Sequence, residues 1–541
     1  MKRPHKAREH NQSALQDFRR IYEQNTTTLG LPQKYNGIFS HLSRQNTVSI
    51  VGIALGDEGK GRIVDNTIET LLEKKGVKHV YVIRFQGGNN AGHTVEKNGT
   101  KLALHLIPSF VFYEKAFGLM DRGMVVHVED LRTEVSYVED VVGSLTKRLF
   151  LSDDAILCTD LERAEEFLNT YIEEGSKGGT GRGIGPSYAH HYDKTGLRIS
   201  DLLESDWQKK LEKRFLTYQK IFSTFDLTLS DIEVPDFQTT VQNKKASKRK
   251  VGSKQLFLKR LSDARNWLIK RNFVVNSFPL HIQVSSDPSI GIIFEGAQAA
   301  GLDVWTGTRP DVTSSNTTTY GIREGTGFWH VHDIDKRIGI IKLPYTSSVG
   351  ARKMPTHINL SSTSPSPKIN NAGSQNSPLL LGEGQGEVIT NDQGQLTKDQ
   401  TWALWIREAA HEYGTTTGRP RDITFLDLPF LRYNIRMSGV EMLIGTHLDT
   451  ARDEDTIKVC THYVNKNGQN IPYQPGLHYL TDVVPKYIEL PSWDGARCQK
   501  AKTKRELPKK ALQFLSFIQL QTQTPIIAAT TGPDRKHIVY F

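Results

Sequence analysis

Two carboxylates and a lysine stand among glycines in the run GIALGDEGKGR (52–62). Gly56, Gly59 and Gly61 let a backbone approach a phosphate closely, the start of a following helix favours an anion, and Lys60 adds a full positive charge. The run is not a Walker A loop, because Ala54 and Gly61 fill positions where that motif needs a glycine and a hydroxyl. Acids repel phosphates, so Asp57 and Glu58 inside such a turn point to another task, holding Mg²⁺ or taking a proton. A second run, RFQGGNNAGHT (84–94), gathers three glycines, two asparagines and His93. A glycine turn or a single histidine is more often structural than catalytic. The weight of these two runs depends on whether the chain brings them together.

The surrounding pattern does so. TVSIVGI (47–53) is a β-branched run that predicts a buried strand, and Ile63, Ile68, Leu71 and Leu72 have helical spacing. HVYVIRF (79–85) predicts the next strand, with further ones at IGIIFEG (290–296), IGIIKLP (338–344), EMLIGTHLD (441–449) and PIIAATTG (525–532). Strand, glycine turn, helix and strand make the βα unit of a parallel sheet. The expected fold is therefore α/β, with a central, mostly parallel β-sheet and helices on both faces. Both chemical runs then open at the same sheet edge, where such folds bind ligands.

Composition narrows the class. With 37% hydrophobic and 24% charged residues, 541 residues can bury a large core. Cys158, Cys460 and Cys498 lack paired spacing, which argues against a disulfide framework or a zinc site and fits a reducing compartment. No apolar run reaches membrane-spanning length and no apolar stretch follows the basic start, so a cytoplasmic protein is expected. Residues 1–46 are polar and basic, an expected flexible extension with one short helix around Leu15–Tyr22. The catalytic part is expected over 47–541, with inserted surface loops near 228–254 and 359–400. The net charge of +10 comes largely from that extension and from NKKASKRKVGSK (243–254). Aromatic residues are few there, so solvated segments are expected rather than a nucleic-acid surface.

The two runs resemble signatures of the adenylosuccinate synthetase family, QWGDEGKG followed by QGGxNAGHT. In order along the chain, KGGTGRGIGPSY (177–188), FEGAQ (294–298), DVTSSNTT (311–318), GTTTGRPRD (414–422), HLD (447–449) and TTGPDR (530–535) resemble further family segments. The resemblance covers about four-fifths of the chain, all but the extension and the two insertions.

That resemblance implies a GTP- and Mg²⁺-dependent ligase. GTP phosphorylates the 6-oxo group of IMP, and the amine of L-aspartate then displaces phosphate, giving adenylosuccinate, GDP and phosphate. By similarity Asp57 is the base and a Mg²⁺ ligand, His93 the acid, and the carbonyl of Gly92 a second metal ligand. Gly56, Glu58, Gly59, Lys60, Gly61, His447, Asp449, Thr530 and Gly532 fall at GTP positions. Asn90, Thr180, Gln298 and Thr313 fall at IMP positions, and Thr416, Thr417, Arg419 and Arg421 at aspartate positions. The family is a homodimer with shared active sites, and Lys194 falls where the second subunit sends an arginine to the IMP phosphate.

The sequence also departs from the family. Ala54-Leu55 replaces Gln-Trp, His447 replaces a guanine-side lysine, Ser348 an arginine, and DRG (121–123) a GNG turn. These positions are expected to face substrates. They leave open the same chemistry on a guanine or deoxy nucleotide, or a nucleotide-binding pseudo-enzyme with a regulatory role.

Overall fold

The structure is a computed structural model. It describes residues 46–97, 99–172, 179–348, 354–360, 396–413, 420–480 and 482–541. The expected helix at Leu15–Tyr22 and most of the second insertion lie outside them.

Ten strands form the central sheet: β1 (Thr47–Gly52), β2 (His79–Arg84), β3 (Ala116–Met120), β4 (Leu149–Ser152), β5 (Val274–Val275), β6 (Ile290–Glu295), β7 (Lys336–Lys342), β8 (Met442–Thr446), β9 (Ile526–Thr530) and β10 (Ile538–Tyr540). Their spatial order is β5-β4-β3-β2-β6-β1-β7-β8-β9-β10. Every neighbouring pair is parallel except β9 and β10. The expected parallel α/β sheet is therefore present.

Alternation along the strands explains the two covered faces. Val80 and Val82 of β2 and Ile293 of β6 pack into one apolar cluster, with Ile63, Val64 and Ile68 of helix α1 (Lys60–Glu73). Ile83, Ile292 and Phe294 point to the other face and belong to a second apolar cluster with Phe430, Leu431, Phe514 and Ile518 from the helices at 428–438 and 509–522. Successive strand residues face opposite sides, so a strand buried on both sides reads as a continuous apolar run.

Central β1 has β6 on one side and β7 on the other, and β2 lies beyond β6. The chain thus reverses its direction of travel across the sheet beside β1, which opens a crevice at the strands' carboxyl ends. The register fixes what meets there. Arg84 pairs with Glu295, and Lys342 with Thr446. A smaller sheet, containing Tyr345–Ser348 and Asp422–Asp427, follows the carboxyl end of β7, and its second strand begins next to Arg421.

Two expectations need correction. The stretch 228–254 is not a loop. It forms an antiparallel hairpin, Glu233–Pro235 with Lys248–Lys250, enclosing a short helix at Phe237–Asn243. Its basic composition hides three apolar anchors, Val234, Phe237 and Val251, all buried. The expected strand at 441–449 stops at Thr446, because His447 takes a left-handed backbone with φ 64° that no strand continues through. Among the described residues no helix is long and apolar enough to cross a membrane. All three cysteines are buried and unpaired.

Candidate functional site

The loop leaving β1 is braced from inside. Glu58 is fully buried, and its Oε1 accepts from the amides of Ala54 at 3.2 Å and Gly56 at 2.8 Å. Its Oε2 accepts from the Lys60 ammonium at 3.0 Å. The Glu58 carboxylate is thus consumed in shaping the turn, and any contact from this residue to a phosphate runs through its backbone. Lys60 is likewise buried, against Glu58. Gly59 has φ 86° and caps α1 without a side-chain bond, which leaves first-turn amides aimed at the crevice. Asp57, with φ 57°, is the acid of the loop that stays partly open, its side chain 31% exposed. Its Oδ2 meets Arg421 Nη2 at 2.5 Å.

His93 lies against the first turn of α1. A side chain at Gly61 would lie 3.2 Å from the Ser109 hydroxyl and the Thr94 carbonyl and 3.4 Å from the His93 Cβ, so glycine suits the close approach of the two segments. His93 Nδ1 pairs with Glu295 Oε1 at 2.5 Å, and Ser109 also donates to that carboxylate, from its amide at 2.9 Å and from its hydroxyl at 2.5 Å. Burial lowers the proton affinity of the imidazole below its usual value, although Glu295 opposes this. Burial pushes the Glu295 carboxyl up, but His93 and Arg84 outweigh it and hold it low, hence ionised. The ring therefore carries its Nδ1 proton toward Glu295.

The loops after β2 and β6 are tied together. Gln86 donates to the Ala297 carbonyl at 2.7 Å and accepts from the Ser315 hydroxyl at 2.9 Å. Tyr188 of helix α2 (Ile184–Tyr192) accepts from the Gly87 amide at 2.9 Å and donates to the Gly123 carbonyl at 2.7 Å. A side chain at Gly87 would lie 3.2 Å from Gln298 Oε1, so the loops that carry Asn90 and Gln298 meet, while Thr313 donates its amide to the Leu302 carbonyl at 2.8 Å and Thr180 precedes the start of α2. Both polar atoms of the Gln298 amide are buried without a partner among the described residues. A buried, unpaired amide is costly, so a polar ligand or a water belongs there. Lys194 is exposed beyond the opposite end of α2, about 14 Å of helix away. The protomer does not bring it to this crevice.

The positions matched to GTP form a second group. A side chain at Gly59 would lie 3.7 Å from Thr446, so the β1 loop touches the end of β8. The His447 amide donates to Thr530 at 3.2 Å, and Asp449 accepts from Gln499 at 3.3 Å. Arg62 of α1 donates to the carbonyls of Gly532, Asp534 and His537, fastening that loop to α1. Sequence reasoning missed Arg62, Glu295 and Gln499, since none stands out by type or spacing. Glu295 alone had a signal, as the one acid of FEGAQ. Of the matched aspartate positions only Arg421 is described; Thr416, Thr417 and Arg419 lie outside the described residues.

The departures are placed differently from expectation. Ala54 and Leu55 are buried in the core layer, not on a substrate wall. Asp121 is fully buried and pairs with His281 at 2.7 Å, whose other ring nitrogen accepts from Trp329 at 3.1 Å. Ser348 is buried at the end of its strand, paired in register with Asp422. His447 touches a matched position through its amide, which bonds Thr530, and its ring lies 5.7 Å from that of Tyr345.

Burial, aided by Lys342, lowers the His447 pKa from 6.5 to about 4. Between those values the unfolded chain takes up a proton that the folded chain refuses, so stability falls as pH drops through the window and levels off below it. The expected loss is on the order of 2 kcal/mol after screening by partial solvent access. Urea unfolding at about pH 7 and about pH 5 checks this. The midpoint should fall further in the wild type than in His447→Asn, and equal falls would clear His447.

For a hard cation, the partly open Asp57 carboxylate and the Gly92 carbonyl would be ligands of the oxygen type that Mg²⁺ takes. A different trio, His127, Glu129 and Asp160, also holds ligand atoms within 4.8 Å of one another. Arg249 already bonds Glu129 at 2.9 Å and Asp160 at 3.0 Å, which makes that trio a buried ion-pair network.

Residues 49–539 match the family model described as adenylosuccinate synthetase. The chain is 33% identical over 494 residues to the adenylosuccinate synthetase of Aquifex aeolicus (strain VF5), covering 91% of this chain and 96% of that one. It is 31% identical over 508 residues to the one of Paramecium tetraurelia, covering 93% and 98%. The solved, fully ligated adenylosuccinate synthetase from Plasmodium falciparum superposes with a TM-score of 0.73 at 27% identity, covering 92% of this chain and 100% of that one.

Proposed function

The chain belongs to the adenylosuccinate synthetase family, a family of ligases, and from that premise we propose that it joins L-aspartate to IMP at the expense of GTP. The observation that supports this reading is the meeting of the loops after β1, β2 and β6, where a side chain at Gly52 or at Gly87 would press on Gln298; Asp57 stays partly open beside Arg421, His93 is held by Glu295, and the Gln298 amide has no partner among the described residues.

The 6-oxo group of a purine is a poor leaving group. Asp57 takes the N1 proton and sends electron density to O6. O6 then attacks the γ-phosphorus of GTP, the O6–P bond forms, and the bond to GDP breaks. His93 stabilises the charge that grows on the transferring group. The aspartate amine attacks C6, the C6–O6 bond breaks, and phosphate leaves with O6 while the amine gives up a proton. Amides at the start of α1 hold the donor phosphates, with Asp449, Thr530 and Gly532 around the guanine. Asp57 and Gly92 would hold Mg²⁺, which supplies neutralisation of phosphate charge. Arg421 holds a carboxylate of the amino acid through its guanidinium fork. A second copy of the chain would supply Lys194 to the IMP phosphate, as a charge without the arginine fork.

Mass spectrometry of turnover tests this. The protein is mixed with Mg²⁺, aspartate and GTP, and IMP, dIMP, GMP and dGMP are offered separately. An aspartate adduct with IMP is the expected result. An adduct only with another purine would reassign the substrate, and none with any purine while GTP still binds would remove the ligase reading.

A further inference from the structure

We propose that Glu412 is a positioning residue for the amino-acid substrate, holding Arg421 so that one edge of its guanidinium trades between Asp57 and an incoming carboxylate. The proposal rests on the function read above. Glu412 is fully buried and uses both oxygens twice. Oε1 accepts from Lys342 Nζ at 2.6 Å and Tyr345 OH at 2.5 Å, and Oε2 from Ser347 Oγ at 2.8 Å and Arg421 Nη1 at 2.7 Å. Burial works against this carboxylate, but the charges of Lys342 and Arg421 hold it ionised, well below the usual carboxylate range.

Arg421 is anchored on three sides. Its amide donates to the Glu412 carbonyl at 2.9 Å, its own carbonyl accepts from Arg407 at 3.0 Å, and Nη1 is spent on Glu412. What remains is the Nε–Nη2 edge, the one that grips a carboxylate with two parallel bonds. Nη2 sits on Asp57, and Nε is buried with no partner among the described residues. A half-used fork beside the catalytic carboxylate fits a group that accepts a substrate carboxylate and releases Asp57 as it does so. Glu412 touches neither substrate in this account and acts through Arg421.

The test compares wild type with Glu412→Gln. An amide turns a donor toward one of the two cations, so Arg421 shifts. A misplacement near 1 Å is expected to raise KM for aspartate by about 10- to 100-fold while KM for IMP and for GTP moves less than about threefold. A purely structural role would raise all three together, and that result, or an unchanged KM for aspartate, overturns the proposal. Should the variant not fold, Ser347→Ala removes one of the four contacts and leaves the carboxylate. KM for aspartate then rises about threefold, and no rise is the contrary result. Wild-type turnover is the first arm. Were it absent, the function above would fall, and calorimetric titration of aspartate into both proteins would decide Glu412 separately, with equal affinity overturning it.

Discussion

Replacing Asp57 with asparagine is expected to lower kcat about 10³-fold, within the range for a lost general base. Asparagine is the informative choice because Asp57 has a positive φ of 57°, which asparagine tolerates and alanine does not. The amide keeps the size of the side chain and can still accept from Arg421. It cannot take the N1 proton, and it brings no charge to a metal. The fold should therefore stand, with a melting temperature within a few degrees of wild type, since the lost ion pair is partly open to solvent. Single-turnover assay and thermal melting check both halves. A variant keeping a tenth of wild-type kcat would take the base role away from Asp57.

The second large effect belongs to His93. His93→Asn places an amide nitrogen where Nδ1 stood, so the bond to Glu295 survives and the far side of the ring is lost. The expected fall in kcat is about 10²-fold, with KM for IMP and GTP little changed. The protonation of His93 sharpens this. Burial and the nearby Arg84 lower its proton affinity before substrates arrive. Phosphates add negative charge beside the ring and raise it. The apparent pKa seen in kcat should then lie above that seen in kcat/KM, which reports the free enzyme. Identical values in the two profiles would mean that His93 does not titrate with the reaction, and near-wild-type kcat in His93→Asn would remove it from the mechanism.

The sheet was legible because β-branched runs buried on both faces leave an unbroken apolar signal, as in β1 and β6. Where the chemistry opens was legible for a related reason. Asp57, Asn90 and Gln298 each follow a strand end within a few residues, and parallel strands end at one edge. Arg62 and Glu412 were not legible, because Arg62 acts on a partner 475 residues away and Glu412 on Lys342 70 residues away, and neither type marks anything; Glu295 had only its place in FEGAQ, with its partner His93 202 residues away. Ala54, Leu55 and Asp121 were misjudged for the converse reason. A changed residue near a motif can face the ligand or the core, and only packing decides which. The hairpin at 228–254 was hidden by its lysines, which stand outside while Val234, Phe237 and Val251 hold it down.

The central claim is that GTP activates O6 and that the same oxygen leaves as phosphate. IMP carrying oxygen-18 at O6 tests it in one turnover with GTP, aspartate and Mg²⁺, with the label followed by mass spectrometry of inorganic phosphate and nucleotide. The account predicts that the label leaves with the phosphate, one labelled oxygen for each adduct formed. Adduct formation with unlabelled phosphate would contradict it, because C6 would then have lost its oxygen without ever bonding to phosphorus.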